Sequence, residues 1–576
     1  MQHDRRLLAF AWFAALVILF FQLGSAPLTD VDEGAFSEAT REMLARGDFI
    51  SPWLLDAPRF DKPVLIHWLQ MLGFAVFGEN AWGARLPSAV AGLAWIGCMG
   101  GWAYLIARRL APEAALNVYA WGVLVSATCL GVPAMSRAAT ADALLNALMA
   151  ASLLMLWRGL AVVQPDGRGL TGHTALREAR ASFRWAALLI GLGVLTKGPV
   201  AVMVPAAASL LAALSMQRMG LWLRLSLDPV AWLIAAGVSL PWYWLQFEAQ
   251  GTAFLEGFFG QHNLGRLTET MHGFSAGPLY YPAWMLIASL PWLPVVVKTF
   301  WSGAQQLRQG GPLRASETHM AWWVLGFVVV FFSFSATKLP HYGFYGLSGL
   351  LVVMALVLGG AAGKPEGLMR WAAGFSGLCA LSLGLSPFWL GELALGVQDP
   401  YYRVVLLEAA RLLEDSSWPL LLIALLAIDP IVLALWRPRQ LPIREAWGAA
   451  WGAALCGVAL YGLLVPTIMQ ALRGPIVEAA QVLRNHSQPG SNEQALAHAL
   501  TWRLAAPSLS FAAGQVIPKG EPKPGSWVVL HAKDLGRLSQ ETACRDSRLV
   551  WEKTGIAVVW CQRRDSNPHT LSGAGF

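Results

Sequence analysis

The sequence predicts an α-helical integral membrane protein of about 13 transmembrane helices, with a small α/β domain at its C-terminus. Three observations predict it. Of 576 residues, 56% are hydrophobic and only 13% charged, about half the charge share of a soluble domain. Apolar runs long enough to cross a bilayer recur along residues 1–468. Beyond them, residues 469–576 turn polar and carry short β-rich runs between Gly and Pro signals.

The first span covers residues 7–24, after Arg5 and Arg6. No small-residue cleavage pattern clearly follows it, so it is expected to stay as an anchor. The other spans are centred near residues 97, 125, 150, 190, 208, 236, 289, 328, 352, 381, 426 and 456. Those at 190 and 208 form a re-entrant-looking pair around Lys197-Gly198-Pro199. Basic residues crowd alternate loops: Arg108-Arg109, Arg158 to Arg184, Arg218 with Arg224, Lys298 to Arg314, Lys364 with Arg370, and Arg437 to Arg444. This bias puts those loops and the N-terminus inside, and the C-terminal domain outside. The net charge of +7 is therefore a sign of topology, not of nucleic-acid binding. Trp is abundant (28 residues), and Trp53, Trp157, Trp242, Trp244 and Trp292 are expected at the headgroups.

Loop 25–85 is too polar to cross but has apolar residues at helical spacing. Phe36, Ala39, Thr40 and Met43 mark one helix, and Leu65, Trp68, Leu69 and Leu72 another, both expected to lie in the interface with their apolar faces down. A second long outer loop, 247–278, holds Phe258-Phe259 and His262. In the C-terminal domain, 476–483 reads as a helix, and 526–530 and 556–560 as strands. Cys98, Cys129, Cys379 and Cys456 fall in spans, where a thiol is a small hydrophobe. Cys544 and Cys561 share the outer domain and are expected to pair in an oxidising compartment.

The outer loops gather the groups that can do chemistry. Asp32-Glu33 follows the first span, where two carboxylates are costly unless solvated, paired or used. Asp32 could cap the helix that follows; alternatively it is a general base. Lys62, in Asp61-Lys62-Pro63, either snorkels or binds a phosphate as a point charge. Arg137 and Asp142 bracket the outer end of the fourth span and form either a structural ion pair or part of a site. Lys197 lies between two short apolar runs, where charge is expensive enough to need a cavity or the interface. Lys338-Leu339-Pro340-His341-Tyr342 opens the tenth span.

Taken in order, Asp32-Glu33, Ser37-Glu38, Arg41-Glu42-Met43, Gly47-Asp48, Lys62-Pro63 and His67-Trp68-Leu69-Gln70 resemble the first outer loop of bacterial lipid A aminoarabinose transferases. Ala84-Arg85-Leu86-Pro87-Ser88, Leu195-Thr196-Lys197-Gly198-Pro199, Phe258-Phe259 with His262 and Arg266, Tyr281 with Pro291-Trp292, and the 338–342 motif continue the match through about residue 345. The superfamily includes the protein O-mannosyltransferases. The resemblance implies a GT-C glycosyltransferase of the bacterial inner membrane. Such an enzyme moves a sugar from a polyprenyl-phosphate donor, with inversion, to an acceptor on the periplasmic face. A lipid A-like glycolipid is the favoured acceptor. It also implies roles: Asp32 as catalytic carboxylate beside Glu33, Asp142 as second acid, and Lys62, Arg137, Lys197 and Lys338 for the donor phosphate, with His262, Arg266 and Tyr342 nearby. Some relatives hold a divalent metal; the matching ligands are Asp61 and His262, and two ligands are few for a metal site. The chain departs from the family where it has Gly34-Ala35-Phe36 for the frequent Pro-Arg-Tyr, Asp61 for Glu, Val64 for Pro and His67 for Tyr. The non-enzyme alternative is a lipid or solute transporter, which should place charges near the bilayer midplane in broken helices.

Overall fold

The computed structural model describes residues 2–30, 32–162, 172–265, 277–309, 316–362, 367–435, 442–487 and 494–562. Arg266 lies outside them, as does the 563–576 tail. Helices dominate, as the apolar runs require. Of the thirteen expected centres, all but residue 289 fall within helices; 289 lies in the break between Tyr280–Ala288 and Leu293–Gln309. The span count is smaller by length and composition. Among the described residues, seven helices are long and apolar enough to cross a membrane, or eight if the bent pair Leu368–Gly384 and Ser386–Leu395 is one span. Val200–Ser215 and His319–Ser333 are apolar but shorter. The reason is that several apolar runs are broken by caps and kinks that hydropathy does not register.

The core is built around Pro340–Leu358, whose residues from Tyr342 onward are all buried. Trp95 on Ala81–Leu110 donates its indole N–H to Ser348 Oγ at 2.8 Å and ties that long helix to it. Several tryptophans expected at the headgroups are core residues instead. Trp157, Trp242 and Trp292 are buried, and their N–H groups reach Glu317 O, Ile50 O and Thr128 Oγ1. A buried indole needs such a partner. Trp244 is exposed.

At the basic end, arginines close helix C-termini. Arg109 Nη1 donates to Ala161 O at 2.8 Å, where cations are favoured by the helix dipole. At the opposite end lie the two loop helices, and they differ from each other. Leu65–Phe77 keeps Leu72, Val76 and Phe77 exposed, as an interfacial helix does. Glu33–Arg46 is buried from Glu33 through Met43 on every side. It does not lie apolar face down, because the C-terminal domain covers it. Its Gly34 marks the approach: a Cβ there would sit 2.5 Å from Asp30 Oδ1 and 2.7 Å from the Ser508 backbone N.

The C-terminal domain has a four-stranded sheet. Ala499–Thr501 pairs in parallel with Trp527–His531; Ile556–Cys561 lies antiparallel between the latter and Ser547–Lys553. Val465–Asn485 and Pro507–Ala513 pack their apolar faces on the sheet. The boundary expected at 468 falls inside the continuous helix Val465–Asn485, so no linker separates the span from the domain. Cys544 and Cys561 form a disulfide with a Cα–Cα distance of 4.7 Å. The remaining four cysteines are free thiols.

Candidate active site

The site lies where three helix ends meet the 25–85 loop. Asp142 begins Asp142–Val162, Lys197 ends Gly172–Lys197, and His341 sits in the first turn of Pro340–Leu358. Lys197 Nζ donates to Asp142 Oδ1 at 2.5 Å with both side chains largely buried. Arg137, the partner suggested for Asp142 by sequence, is elsewhere: its Nη1 donates to the carbonyls of Ile18 and Phe21 and closes the first helix. Those bonds tie Arg137 to the exit of the first helix. Lys197 can stand at the end of an apolar run because Asp142 faces it there, and because the chain turns immediately. Gly198 makes that turn at φ +80°, pressed so closely on Phe258 that a Cβ would lie 2.6 Å from the ring.

Asp61 forms the second centre. Arg59 Nε reaches Asp61 Oδ1 at 2.6 Å, and Lys62 Nζ reaches Oδ2 at 3.4 Å. Burial pushes the Asp61 carboxyl up, but Arg59 and Lys62 outweigh it and hold it far below the usual range, with His262 within electrostatic reach. The charges of Lys62 and His341 also reach Asp142, so the two centres form one electrostatic unit. Asp61 is already neutralised by two cations. Among the described residues no three His, Cys, Asp or Glu side chains come together. Of the expected metal pair, His262 lies within electrostatic reach of the Asp61 carboxylate, which Arg59 and Lys62 flank.

Glu33 is not placed for catalysis. Arg85 grips it bidentately at 2.7 and 2.8 Å, and Thr29 and the Ala139 N–H occupy its remaining lone pairs. Burial raises its pKa, but Arg85 more than offsets this and holds Glu33 below its ordinary value. Arg85 directs its other donors to the carbonyls of Leu23, Ala26 and Pro27, so the pair ties the first helix's exit to the loop. Sequence spacing gave Arg85 no role beyond its motif. Asp32, one residue earlier, is exposed and makes no side-chain cap to its helix. The capping reading is therefore not the one the geometry favours. Lys338 Nζ donates to Ser335 O within its own loop. Tyr342 is buried, its ring 5.1 Å from Phe332 and 6.0 Å from Tyr345.

Sequence reasoning missed Arg59 and Tyr345. The Arg59 guanidinium lies 4.6 Å from the Phe36 ring centroid, and His67 stacks on the same ring at 5.6 Å. Tyr345 lies beneath Lys197, whose Nζ is 5.7 Å from the ring. The signal for Arg59 was its place two residues before Asp61.

Residues 61–244 match the family model described as dolichyl-phosphate-mannose-protein mannosyltransferase. The chain is 30% identical over 481 residues to an undecaprenyl phosphate-alpha-4-amino-4-deoxy-L-arabinose arabinosyl transferase of Pseudomonas aeruginosa, covering 82% of this chain and 79% of that one. It belongs to that arabinosyl transferase family. A Pseudomonas fluorescens member is 29% identical over 506 residues, 86% of this chain and 83% of its own. The crystal structure of ArnT from Cupriavidus metallidurans bound to undecaprenyl phosphate superposes with a TM-score of 0.74 at 19% identity, over 99% of this chain and 98% of the other. The arabinosyl transferase fold therefore extends through the C-terminal domain as well as the spans. The chain is an integral membrane protein of the GT-C fold expected from its motifs.

Proposed function

We propose that this chain is a glycosyltransferase that moves a sugar from an undecaprenyl-phosphate-type donor to an envelope glycolipid, lipid A-like, on the periplasmic face of the inner membrane. The observation that carries the reading is the pairing of Lys62 with a buried carboxylate at the mouth of the spans, in a chain of this family. Lys62 holds the donor phosphate as a point charge and makes it a better leaving group. Lys197 and Asp142 keep the floor of the site charge-balanced. Asp32 takes the proton of the acceptor hydroxyl as that oxygen attacks the anomeric carbon, opposite the departing phosphate; one displacement inverts the centre. The lipid tail lies between spans, so the bilayer supplies part of the positioning. A transporter would hold its charged groups at mid-span; here they gather at helix ends, and the family supports a transferase.

The test is mass spectrometry of lipids from cells lacking this protein, complemented with wild type or Asp32→Asn. The variant should be made at wild-type level, accumulate a polyprenyl-phosphate sugar and leave one envelope glycolipid lighter by that sugar. A wild-type lipid profile from Asp32→Asn would remove Asp32 from the chemistry.

A further inference from the structure

The first outer loop grips one short helix of the C-terminal domain at both ends. Ser508, in Pro507–Ala513, donates its backbone N–H to Asp30 Oδ1 at 2.8 Å and its hydroxyl to Asp30 Oδ2. Past the other end of that helix, Gly514 O accepts from Arg41 Nη1 at 3.1 Å, while Arg41 Nε and Nη2 hold Glu38 at 2.8 and 2.7 Å. Arg473 Nη2 donates to Asp30 O at 3.3 Å, and its Nη1 stands 3.7 Å from Asp30 Oδ2. The Asp30 side chain is only 2% exposed, so its carboxylate depends on these partners. Ser508 and Arg473 both lie beyond the last span's start at Val465, more than four hundred positions along the chain.

Asp32 lies two residues beyond Asp30, in a turn that is closed on itself. Gly34 N–H donates to Thr29 O at 2.9 Å, and the Thr29 N–H and hydroxyl both donate to Glu33 Oε2 at 3.0 Å. A shift of Asp30 therefore carries Asp32 with it. Asp32 is exposed and its carboxylate caps nothing, so the backbone on either side fixes where it stands. Glu33–Arg46 starts at the next residue and packs along Pro507–Ala513. Position matters to a general base: a misplacement of about 1 Å costs about a hundredfold in rate. We propose that Asp30 and Ser508 are positioning residues, through which the C-terminal domain holds the turn that presents Asp32 to the acceptor hydroxyl. The domain then takes part in the transfer step without touching substrate. The inference rests on the glycosyltransferase reading with Asp32 as its base, and it gives the domain a role beyond covering Glu33–Arg46.

The test uses cells lacking this protein, complemented with the full chain or a variant. Turnover is the initial rate at which the envelope glycolipid gains its sugar, read by mass spectrometry. It is divided by the number of sites that bind bare undecaprenyl phosphate in membranes of the same cells. Unfolded protein cancels in that ratio; a misplaced Asp32 does not. Asp30→Ala should turn over about thirtyfold more slowly per site, and Ser508→Ala, which loses one of the two bonds, about threefold. Affinity for undecaprenyl phosphate should stay within about twofold of wild type in both, because the partners of Asp30 are Ser508 and Arg473 rather than the Lys62 centre. Asp30→Asn is the conservative variant: its amide oxygen accepts the Ser508 N–H and its NH2 donates to the Ser508 hydroxyl, so turnover should stay within about threefold of wild type. Wild-type turnover per site in Asp30→Ala overturns the inference. So does Asp30→Asn as slow as Asp30→Ala, which makes the Asp30 carboxylate a reacting group and not a positioning one. Where Asp30→Ala yields no binding sites, Ser508→Ala decides, and wild-type turnover from it overturns the inference. Wild-type turnover in Asp32→Asn overturns Asp32 as the base, and the inference with it.

Discussion

Arg85→Met separates a scaffold role for Glu33 from a catalytic one. The side chains of Arg85 and Glu33 are about 5% and 4% exposed, so bulk solvent does not reach the carboxylate once the guanidinium is gone. Removing one partner of such a buried pair costs about 3–5 kcal/mol, because the other charge stays buried without compensation. Here the carbonyls of Leu23, Ala26 and Pro27 also lose their donor, which puts the cost at the upper end. The double variant Glu33→Gln/Arg85→Met removes both charges, and the single oxygen of the amide that replaces the Glu33 carboxylate can accept from one of the two N–H groups, of Thr29 and Ala139, that bond to separate carboxylate oxygens. It should recover part of the loss. The assay is thermal unfolding of detergent-purified protein, read beside sugar transfer in cells. A scaffold role predicts two destabilised single variants and a double variant that regains part of both stability and transfer. A double variant more stable than either single variant yet inactive would refute the reasoning and return Glu33 to the chemistry.

Further outcomes follow from the same geometry. Gly34→Ala should loosen the C-terminal domain, since the new Cβ meets the Ser508 backbone and the Asp30 carboxylate; faster limited proteolysis between the spans and the sheet checks it, and unchanged cleavage would contradict the close fit. Mutating Cys544 and Cys561 to Ser opens a 17-residue loop and should cost the domain about 3 kcal/mol, measured by its unfolding; without reductant neither thiol of the native pair should be alkylated. The folded pKa of Glu33 is depressed, so its contribution to stability is fully present above its ordinary value of 4.5 and is lost as pH falls below that toward the folded value. Thermal stability should therefore drop on acidification through this window, and the drop should shrink in the Glu33→Gln/Arg85→Met variant.

Membrane class, helices, paired cysteines and the motifs that meet at the site can all be read from the amino-acid order. They depend on composition, on runs of apolar residues and on alternating charge, which are local properties. Lys62, Asp142 and Lys197 were legible for the same reason: a charge beside an apolar run is costly and stands out. The partners of these charges emerge only in the folded chain. Nothing in the spacing tells that Asp142 meets Lys197, 55 residues on, rather than Arg137, five residues before it. Nor does it tell that Glu33 is consumed by Arg85 while Asp32 stays exposed, or that Arg59 and His67 share Phe36. The burial of Glu33–Arg46 was equally hidden, because the residues that cover it come from Pro507–Ala513, hundreds of positions later. Pairing of buried charges depends on which helix ends the packing brings together, and that is a property of the assembled core rather than of any segment.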